Sequence, residues 1–340
     1  MSNQAKKNTG YPYPMLNPPP FRWQAEPDLP EPKVHEWIRT LEPSAAHDTD
    51  WSRIDAAILG VPLSRSSISA SAASETPEEF RRAWRSFTPY NLEEDIDLTP
   101  LSVVDLGDVR QHVTDISRCH QSIREAAATM QRHHPSTLPI LIGGDHSITA
   151  MSIMGIKDTR PEKSIGLLQL DTHFDLRSLE EFGPANGTPV RNLIESGSLR
   201  GSDVWNIGLH GFFNARSLRD YADRAGVNWI TMKEARRIGL ETAVHSALTQ
   251  LEKKVDTIYL TVDMDVLDLA CAPGTPAGAP GGMRTEELFE AVRIAGTHPR
   301  VRGMDIVCLD PRRDINQITI KTGVHVLLSF LTGFMQRDKA

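Results

Sequence analysis

The fold prediction rests on the stretch Leu260-Thr261-Val262-Asp263-Met264-Asp265-Val266-Leu267-Asp268, an apolar run that ends in two closely spaced acidic residues. Alternate residues of a β-strand lie on one face, so Asp263 and Asp265 should point the same way where the strand ends. Two carboxylates directed into one small volume repel each other strongly unless a proton or a cation lies between them. This stretch therefore predicts a buried strand that ends at a cation site.

Two further apolar runs end in residues of types that bind metals. Residues 164–170 lead into Asp-Thr-His-Phe-Asp, whose acids and histidine share one face by the same alternation. Residues 138–142 lead into Gly-Gly-Asp-His-Ser, in which the paired glycines permit a tight turn before the histidine. Together with the first stretch, these runs supply six candidate metal ligands: His146, Asp171, His173, Asp175, Asp263 and Asp265.

Each segment taken alone has an ordinary explanation. An Asp after a strand is most often a turn residue or a helix N-cap, and a single His is most often a surface or core group. The coincidence of four carboxylates and two imidazoles at the ends of three predicted strands favours a metal site instead. Six oxygen and nitrogen ligands without a thiolate suit manganese above all, with cobalt, nickel or zinc as alternatives. The carboxylates are too many for one ordinary zinc site and enough for two ions that share bridging carboxylates.

The rest of the chain predicts a single α/β domain over residues 34–340. Eight short segments rich in Val, Ile and Leu predict buried strands, at 54–62, 102–107, 138–143, 164–171, 203–209, 227–232, 257–263 and 301–308. Helical patterns fall at 78–88, 115–133, 215–225, 233–253, 285–297 and 322–336. Apolar strands that alternate with helices are typical of a parallel sheet covered on both faces. We therefore predict a three-layer α/β/α fold with a doubly wound, eight-stranded, mainly parallel sheet.

Composition indicates the nature of the N-terminal segment, the cellular compartment and the classes of partner. Residues 1–33 are polar and rich in proline, which predicts an irregular extension with neither a signal peptide's apolar core nor a membrane span. A net charge of −7 gives no support to a nucleic-acid partner. Cys119, Cys271 and Cys308 are too few and too scattered for a disulfide scaffold. We therefore expect a cytoplasmic protein with no membrane or nucleic-acid partner.

The three ligand motifs resemble those of the arginase, agmatinase and formimidoylglutamase family of ureohydrolases. Gly-Gly-Asp-His-Ser, Asp-x-His-x-Asp and Asp-x-Asp occur in the family's order and spacing, and the resemblance runs from about residue 54 to the last predicted strand. The third motif is followed by Ala-Pro-Gly-Thr-Pro at 272–276, as in the family. Within the family, the segments at 60–64, 175–177 and 186–190 resemble formimidoylglutamase most.

The resemblance implies an arginase-like catalytic domain that binds a pair of manganese ions. Asp171 and Asp263 would bridge the two ions. The other four ligands would divide into two pairs, His146 with Asp175 and His173 with Asp265. The implied reaction is hydrolysis of a C–N bond at a formimidoyl or guanidino carbon, by hydroxide formed from a water between the ions. Asp175 is the candidate for orienting that hydroxide and passing on its proton.

The foremost substrate that the resemblance implies is N-formimidoyl-L-glutamate, which would yield L-glutamate and formamide in histidine degradation. Such a substrate carries two carboxylates, so guanidinium groups are the expected anchors. Arg177 is the first substrate-binding candidate because it follows a ligand motif. Arg65, in the loop after the first strand, is the next, although a surface cation there is equally consistent. The resemblance also implies a homo-oligomer, a trimer or a hexamer.

Three positions depart from the family pattern but leave all six metal positions intact. Asn186 stands where arginases and agmatinases carry a His, which argues against those activities and makes Asn186 a substrate-binding candidate. Cys308 stands where most relatives carry a Glu that pairs with the cationic group of the substrate, a contact that a thiol cannot replace. His210, with Gly211, stands where relatives usually have Arg-Asp, and it is a second catalytic candidate.

These departures keep several interpretations open. Cys308 is a substrate-binding candidate, but it is equally consistent with a small buried residue, and less so with a reactive thiol or a metal ligand. An alternative enzyme would hydrolyse another guanidino or amidino compound, in the manner of an agmatinase or a guanidino-acid hydrolase. A non-enzymatic alternative is an inactive metal-binding subunit, against which the intact ligands argue.

Overall fold

Eight parallel strands form the centre of the computed structural model, which describes residues 14–23, 31–41 and 49–337. Each strand lies where the sequence predicts it, because most of them are continuous runs of buried apolar residues. In chain order they are β3 (Ala56–Gly60), β6 (Val103–Val109), β7 (Leu138–Ile142), β8 (Ile165–Leu170), β9 (Val204–Leu209), β10 (Asn228–Thr231), β11 (Thr257–Asp263) and β12 (Val301–Val307). The predicted α/β fold with a mainly parallel sheet is confirmed.

Two short strands widen the sheet beyond the predicted eight. β1 (Leu16–Asn17) pairs antiparallel with β6, and β2 (Arg39–Thr40) pairs parallel with the same strand. The sheet thus has ten strands, in the order β1-β6-β3-β7-β12-β11-β8-β9-β10 with β2 beside β6. β1 falls within the predicted irregular extension, whose residues 1–13 and 24–30 lie outside the described residues. The predicted boundary between extension and domain stays a prediction.

Helices cover both faces of the sheet. They are α1 (Val34–Trp37), α2 (Thr76–Ala83), α3 (Ile116–His133), α4 (Ser147–Thr159), α5 (Leu179–Phe182), α6 (Pro189–Glu195), α7 (Arg216–Ala225), α8 (Met232–Ile238), α9 (Leu240–Glu252), α10 (Thr285–Thr297) and α11 (Ile318–Met335). A separate hairpin pairs β4 (Tyr90–Asn91) with β5 (Ile96–Asp97). α3, α4, α6 and α7 contribute to one buried apolar cluster, and α2, α9, α10 and α11 contribute to the other. The two clusters, one on each face, give the three predicted layers.

Alternate residues of the central strands pack into the two clusters. In β11, Leu260 and Val262 belong to one cluster and Tyr259 to the other. In β7, Ile140 and Leu141 divide in the same way. Both faces of these strands are therefore apolar, as expected of a parallel sheet with helices on each side.

One predicted helix is divided in the structure. The sequence pattern favours a single helix over 233–253, but α8 ends at Ile238 and α9 begins at Leu240. Gly239 between them has a φ of 90°, which lies outside the helical region and which glycine adopts readily.

α11 is long and apolar enough to cross a membrane by length and composition alone. However, 72% of it is buried inside the structure, where it packs against α10 and α2. This burial is typical of a core helix, so α11 is weak evidence for a membrane segment.

A buried ion cluster joins α2 to β6. Guanidinium nitrogens of Arg81 lie 2.7 Å from carboxylate oxygens of both Asp105 and Asp108. Burial lowers the pKa of Arg81, but Asp105 and Asp108 outweigh that effect and raise the pKa above its ordinary value. Arg81 is therefore a permanent cation that neutralises two buried acids at this side of the sheet.

The strands that carry the three predicted ligand motifs lie close together. β7, β12, β11 and β8 are consecutive in the sheet, so only β12 separates β7 from β11. Because these strands are parallel, their carboxyl ends meet at one edge, where ligands bind in open α/β sheets.

Candidate metal centre

Two glycines make the turn after β7. Gly143 and Gly144 have φ values of 82° and 81°, a region that favours residues without a side chain. A Cβ atom on Gly144 would lie 2.7 Å from the carbonyl oxygen of Val61. The turn places His146 directly before α4, with its Nε2 atom 2.9 Å from Thr261 Oγ1. The other ring nitrogen, Nδ1, lies among the carboxylates at the ends of β8 and β11.

Three carboxylates surround His146. Its Nδ1 atom lies 2.8 Å from an oxygen of Asp175, 3.0 Å from one of Asp263 and 3.2 Å from one of Asp171. Nδ1 is buried, and none of these oxygens is aligned for a hydrogen bond with it. Oxygen and nitrogen atoms that converge on one point without hydrogen-bonding to one another have the arrangement of ligands around a cation.

A second group of potential metal ligands shares Asp171 with the first group. His173 Nδ1 lies 3.2 Å from an oxygen of Asp265 and 3.6 Å from one of Asp171. The donor atoms of Asp171, His173 and Asp265 lie within 4.8 Å of one another, as do those of His146, Asp171 and Asp175. The structure thus brings all six predicted ligands together, with Asp171 in the position of a carboxylate that two ions could share.

Neighbouring groups fix these carboxylates. The Gln169 amide donates to Asp171 at 2.6 Å and lies 3.3 Å from Asp175. The backbone N–H of His173 donates to Asp171 at 2.6 Å. Asp175 itself has a φ of 55°, a conformation uncommon for residues with a Cβ atom and kept only where the surroundings enforce it.

Burial and mutual repulsion shift the pKa values in the cluster. Burial, followed by Asp171, raises the pKa of Asp175 to about 7. Burial, followed by Asp263, raises the pKa of Asp265 well above its ordinary value. Burial lowers the pKa of His173, but Asp265 and Asp171 outweigh it and raise that pKa to about 12. The carboxylates therefore gain from any positive charge among them, which divalent cations would supply.

The donor set fits manganese. Carboxylate oxygens and imidazole nitrogens are ligands that suit this ion, and no thiolate is needed to complete the set. Asp265 Oδ1, like His146 Nδ1, is buried without a hydrogen-bond partner among the described residues. Buried polar atoms without partners are rare in proteins, and a cation would satisfy both of these.

Cys308 lies against the same cluster. Its Sγ atom is within 4.8 Å of donor atoms of His146 and Asp263. Burial, followed by Asp263 and Asp265, raises the pKa of the thiol well above its ordinary value. Its backbone N–H donates to the carbonyl of Gly144 at 3.1 Å, which joins the end of β12 to the glycine turn. Cys308 therefore packs beside the donors and does not line the cavity described next.

A cavity of about 120 Å³ adjoins the donor cluster. Its lining includes four of the six predicted ligands, namely His173, Asp175, Asp263 and Asp265. Two predicted substrate-binding residues, Arg177 and Asn186, line it as well. A small molecule in this cavity would touch the metal ligands and both of these polar groups.

Arg177 is held in the cavity wall by its neighbours. Its backbone N–H donates to the carbonyl of Gly187 at 3.0 Å, and its guanidinium carbon lies 5.4 Å from the ring centre of Phe182. A Cβ atom on Gly187 would lie 2.9 Å from Arg177 Cδ, so glycine leaves the room that this side chain occupies. Within the described residues no carboxylate forms an ion pair with Arg177, and its charge is available to an anion.

Asn186 joins two loops at the cavity. Its Oδ1 atom accepts a hydrogen bond from the backbone N–H of Ile68 at 2.8 Å, and its backbone N–H donates to the carbonyl of Ser66 at 3.0 Å. Because Oδ1 is used in this way, the amide nitrogen Nδ2 is the group left to meet a ligand.

Two other predicted site residues lie elsewhere. Arg65 donates hydrogen bonds to the backbone carbonyls of His112 and Val113 and does not line the cavity. His210 Nδ1 lies 2.9 Å from the carbonyl of Gly208, and its ring lines a neighbouring cleft. The roles predicted for Arg65 and His210 stay predictions.

Sequence reasoning missed much of the cavity wall. Phe213 and Asn214 could have been found, since they follow β9 and ligands gather at the carboxyl ends of parallel strands. The other missed residues come from loops without such a signal. The full set of missed residues is Ile68, Ser69, Gly187, Phe213, Asn214, Leu218 and Ala277.

Comparison with known proteins assigns the family. The sequence model of the arginase family matches residues 54–333 of this chain. This chain belongs to the arginase family. Among its arginase-family relatives is a formimidoylglutamase of Halalkalibacterium halodurans, 44% identical over 84% of this chain and 89% of the relative. The formimidoylglutamase of Bacillus subtilis is 39% identical over 82% of this chain and 86% of its own length.

Solved arginase-family structures agree with the fold. A crystal structure of formimidoylglutamase from Bacillus subtilis superposes with a TM-score of 0.86 at 36% identity, over 92% of this chain and 95% of that one. A Trypanosoma cruzi formiminoglutamase with Mn²⁺ superposes with a TM-score of 0.80 over 91% of this chain and 100% of that one. At 22% identity, the second likeness supports the fold alone.

Proposed function

We propose that this arginase-family protein is a manganese-dependent formimidoylglutamase, which hydrolyses N-formimidoyl-L-glutamate to L-glutamate and formamide. One observation carries the proposal: two groups of metal-binding side chains that share Asp171 adjoin a cavity lined by Arg177, a cation that pairs with no carboxylate of the described residues. The identity of 44% and 39% to two proteins named formimidoylglutamase supports the choice of substrate. The set of carboxylate and imidazole ligands supports the choice of metal.

The reaction needs a nucleophile, a proton carrier and an anchor for the substrate. His146, Asp171, His173, Asp175, Asp263 and Asp265 would hold two manganese ions, which when bound supply a Lewis-acidic centre that makes water nucleophilic near neutral pH. Asp175 belongs to both the donor cluster and the cavity wall, so it can take a proton from the attacking water and return it to the departing nitrogen. The C–N bond to the glutamate nitrogen breaks, the new C–O bond stays in formamide, and the returned proton completes the amine of glutamate.

The cavity favours a substrate with a carboxylate. Arg177 offers a planar guanidinium that can bind a carboxylate through two hydrogen bonds. The Nδ2 group of Asn186 offers a further donor on the same lining. A substrate whose tail carries an ammonium group, such as agmatine, would bring a like charge toward Arg177.

A guanidino acid is the second candidate substrate. Its carboxylate could bind Arg177 as well as that of N-formimidoyl-L-glutamate could. The chain is also 28% identical to a guanidinobutyrase of Pseudomonas aeruginosa, over 87% of this chain and 92% of that protein. Cys308 does not separate the two candidates, because a formimidoyl group and a guanidinium are both cations near neutral pH and a thiol beside the donor cluster can pair with neither as a carboxylate can.

A substrate panel tests the proposal. Purified manganese-loaded protein is assayed with N-formimidoyl-L-glutamate, 4-guanidinobutyrate, arginine and agmatine, and formamide and urea are measured separately. We expect formamide from the first substrate with a kcat/KM at least about a hundredfold above that for any guanidine, a range that a pocket reaches when it is matched to the polar groups of one substrate and not to those of the other. Urea release from 4-guanidinobutyrate as the dominant activity would replace the proposal with the second candidate.

We also propose that the enzyme acts in the cytoplasm, which its few scattered cysteines favour, and that it forms a homo-oligomer of three or six subunits, which its resemblance to the family implies. Light scattering coupled to size-exclusion chromatography gives the mass of the particle in solution. A monomer at micromolar concentration would contradict the proposed assembly and leave the catalytic proposal intact.

A further inference from the structure

A buried hydrogen-bond network behind the cavity connects three parts of the chain. His120 lies on the inner side of α3, with 6% of its surface exposed. Its Nε2 atom lies 3.2 Å from the hydroxyl oxygen of Ser66 and 3.0 Å from that of Ser147. Ser66 belongs to the loop after β3, and Ser147 is the first residue of α4, next to the predicted ligand His146.

Asp145 closes the network. It accepts hydrogen bonds from the backbone N–H of Ser66 at 3.1 Å, from the backbone N–H of Ser147 at 3.1 Å and from the Ser147 hydroxyl at 2.6 Å. Its own N–H donates to the carbonyl of Leu63 at 2.7 Å. The glycine turn and the loop after β3 are therefore tied to each other through one buried carboxylate.

Counting protons fixes the direction of each bond. Ser147 has a single hydroxyl proton, which goes to Asp145, so its oxygen can only accept from His120. Burial lowers the pKa of His120 to about 4, and the neutral ring therefore carries its one proton on Nε2. This N–H is shared between the hydroxyl oxygens of Ser147 and Ser66.

The loop after β3 carries this arrangement to the cavity. The carbonyl of Ser66 accepts the N–H of Asn186 at 3.0 Å, and Asn186 Oδ1 accepts the N–H of Ile68 at 2.8 Å. Asn186 and Ile68 both line the cavity. Asp145 holds the backbone N–H of Ser66 and the start of α4, whereas His120 holds the Ser66 hydroxyl. A shift of Ser66 after loss of the His120 bond would therefore move two residues of the cavity wall, while the start of α4 keeps its bonds to Asp145.

We propose that His120, which does not line the cavity, is a positioning residue that holds the loop after β3 and so sets the substrate wall formed by Ile68 and Asn186. Its substrate is the one named under the proposed function, on which this inference rests. His120 therefore affects substrate binding through this loop and not by contact with the substrate or with a metal ligand.

The experiment compares His120→Leu, His120→Gln and Ser66→Ala with the control Ser122→Ala. Ser122 is also buried on α3, but its hydroxyl donates at 3.0 Å to Arg118 within the same helix. We expect His120→Leu to raise KM for N-formimidoyl-L-glutamate about five- to tenfold, the effect of one buried hydrogen bond. The kcat value and the manganese content should stay within about twofold of wild type.

Three further results are expected. His120→Gln, whose amide can also donate, should recover most of the lost affinity, and Ser122→Ala should behave as wild type. Ser66→Ala should raise KM similarly, and the double variant should add little, because both changes break one interaction. Backbone amides at 66–68 should exchange hydrogen for deuterium faster in His120→Leu, while those at 148–151 should not.

An unchanged KM together with unchanged exchange at 66–68 would overturn the proposal. Loss of manganese from His120→Leu with slow exchange at 66–68 would overturn it in favour of a role in the metal turn. If His120→Leu fails to fold, His120→Gln and Ser66→Ala make the same comparison. If wild-type protein does not hydrolyse N-formimidoyl-L-glutamate, the proposed function fails, and amide exchange still decides the role of His120 in the loop.

Discussion

Asp171 and Asp263 end their strands with the same local hydrogen bond. Asp263 is the last residue of β11, and Asp171 follows the last residue of β8. Each carboxylate accepts the backbone N–H two residues further on, from His173 at 2.6 Å and from Asp265 at 2.9 Å. This turn is favoured by Asp, and it directs both members of each pair toward the same small volume. The arrangement of the predicted ligands is thus built residue by residue at the strand ends.

Arg177→Lys should raise KM for N-formimidoyl-L-glutamate about tenfold or more with little change in kcat, because the amine cannot reproduce the two-pronged carboxylate contact. Steady-state kinetics measure the effect. Arg237→Lys is the matched control, since Arg237 pairs with Glu234 at the exposed surface, does not line the cavity and should leave KM unchanged. Equal KM values for wild type and Arg177→Lys would remove Arg177 from the substrate site.

Cys308→Glu should lower kcat/KM for N-formimidoyl-L-glutamate at least about tenfold and lower stability, because it adds a buried carboxylate beside Asp263 and Asp265. Cys308→Ser keeps the size of the side chain and should retain most of the activity. Kinetics and thermal unfolding of the two variants make the comparison. A gain on any classical amidine or guanidine would mean that Cys308 replaced a Glu in an otherwise ordinary family pocket.

At the scale of elements, single buried side chains fix how neighbouring elements pack. Arg81 joins α2 to β6 through two buried acids, and His120 joins α3 to the loop after β3. Both residues lie away from the cavity lining, so changes in them should act on stability or on loop position before they act on the chemistry.

Arg81→Met should reduce the free energy of unfolding by about 3 to 5 kcal/mol, because Asp105 and Asp108 would be left buried without a cation. Urea unfolding measures the loss. Arg82→Met is the control: Arg82 pairs with Glu78 at 2.6 Å, both side chains are about two-fifths exposed, and the expected change is below about 1 kcal/mol. Similar stabilities of the two variants would contradict the structural role of the buried cluster.

The pKa of His120 predicts a pH dependence of stability. Burial lowers this pKa to about 4 from 6.5, so the unfolded chain takes up a proton at a higher pH than the folded chain does. The contribution of His120 is therefore present above pH 6.5 and is lost as the pH falls toward 4. The stability advantage of wild type over His120→Gln should shrink by up to about 3 kcal/mol across that range. Unfolding curves of the two proteins that stay parallel from pH 7 to 4 would contradict the shift.

At the scale of the whole molecule, the parallel sheet was predictable because its strands are uninterrupted apolar runs. α4 was not among the predicted helices, since most of its residues are buried and it lacks the polar face that marks a surface helix. β1 and β2 have two residues each, too few for any pattern to indicate. The break at Gly239 was also hidden, because glycine occurs within helices as well as between them.

The candidate site was predictable to a smaller extent. Its six predicted ligands follow three strands, so their spacing in the sequence indicated them. Asp265 faces the same way as Asp263, as predicted, but it does so because of the turn after β11 and not because of strand alternation. The cavity wall comes from loops distant in sequence, such as those of Ile68, Asn214 and Ala277, and only the fold brings these loops together. Arg65 shows what the sequence cannot predict. Its position after β3 was predictable, but the direction of its side chain depends on hydrogen bonds to the carbonyls of His112 and Val113, which are distant in the sequence.

Elemental analysis of wild type and Asp171→Ala tests the central claim, that three strand ends build a shared site for a pair of cations. After dialysis against manganese and then against buffer, wild type should retain about two manganese ions per subunit, as expected of a site with a bridging carboxylate. Asp171→Ala should lose most of both ions and all activity, whereas Asp158→Ala, which removes an exposed acid paired with Arg124, should match wild type. Two retained ions in Asp171→Ala would contradict the shared site.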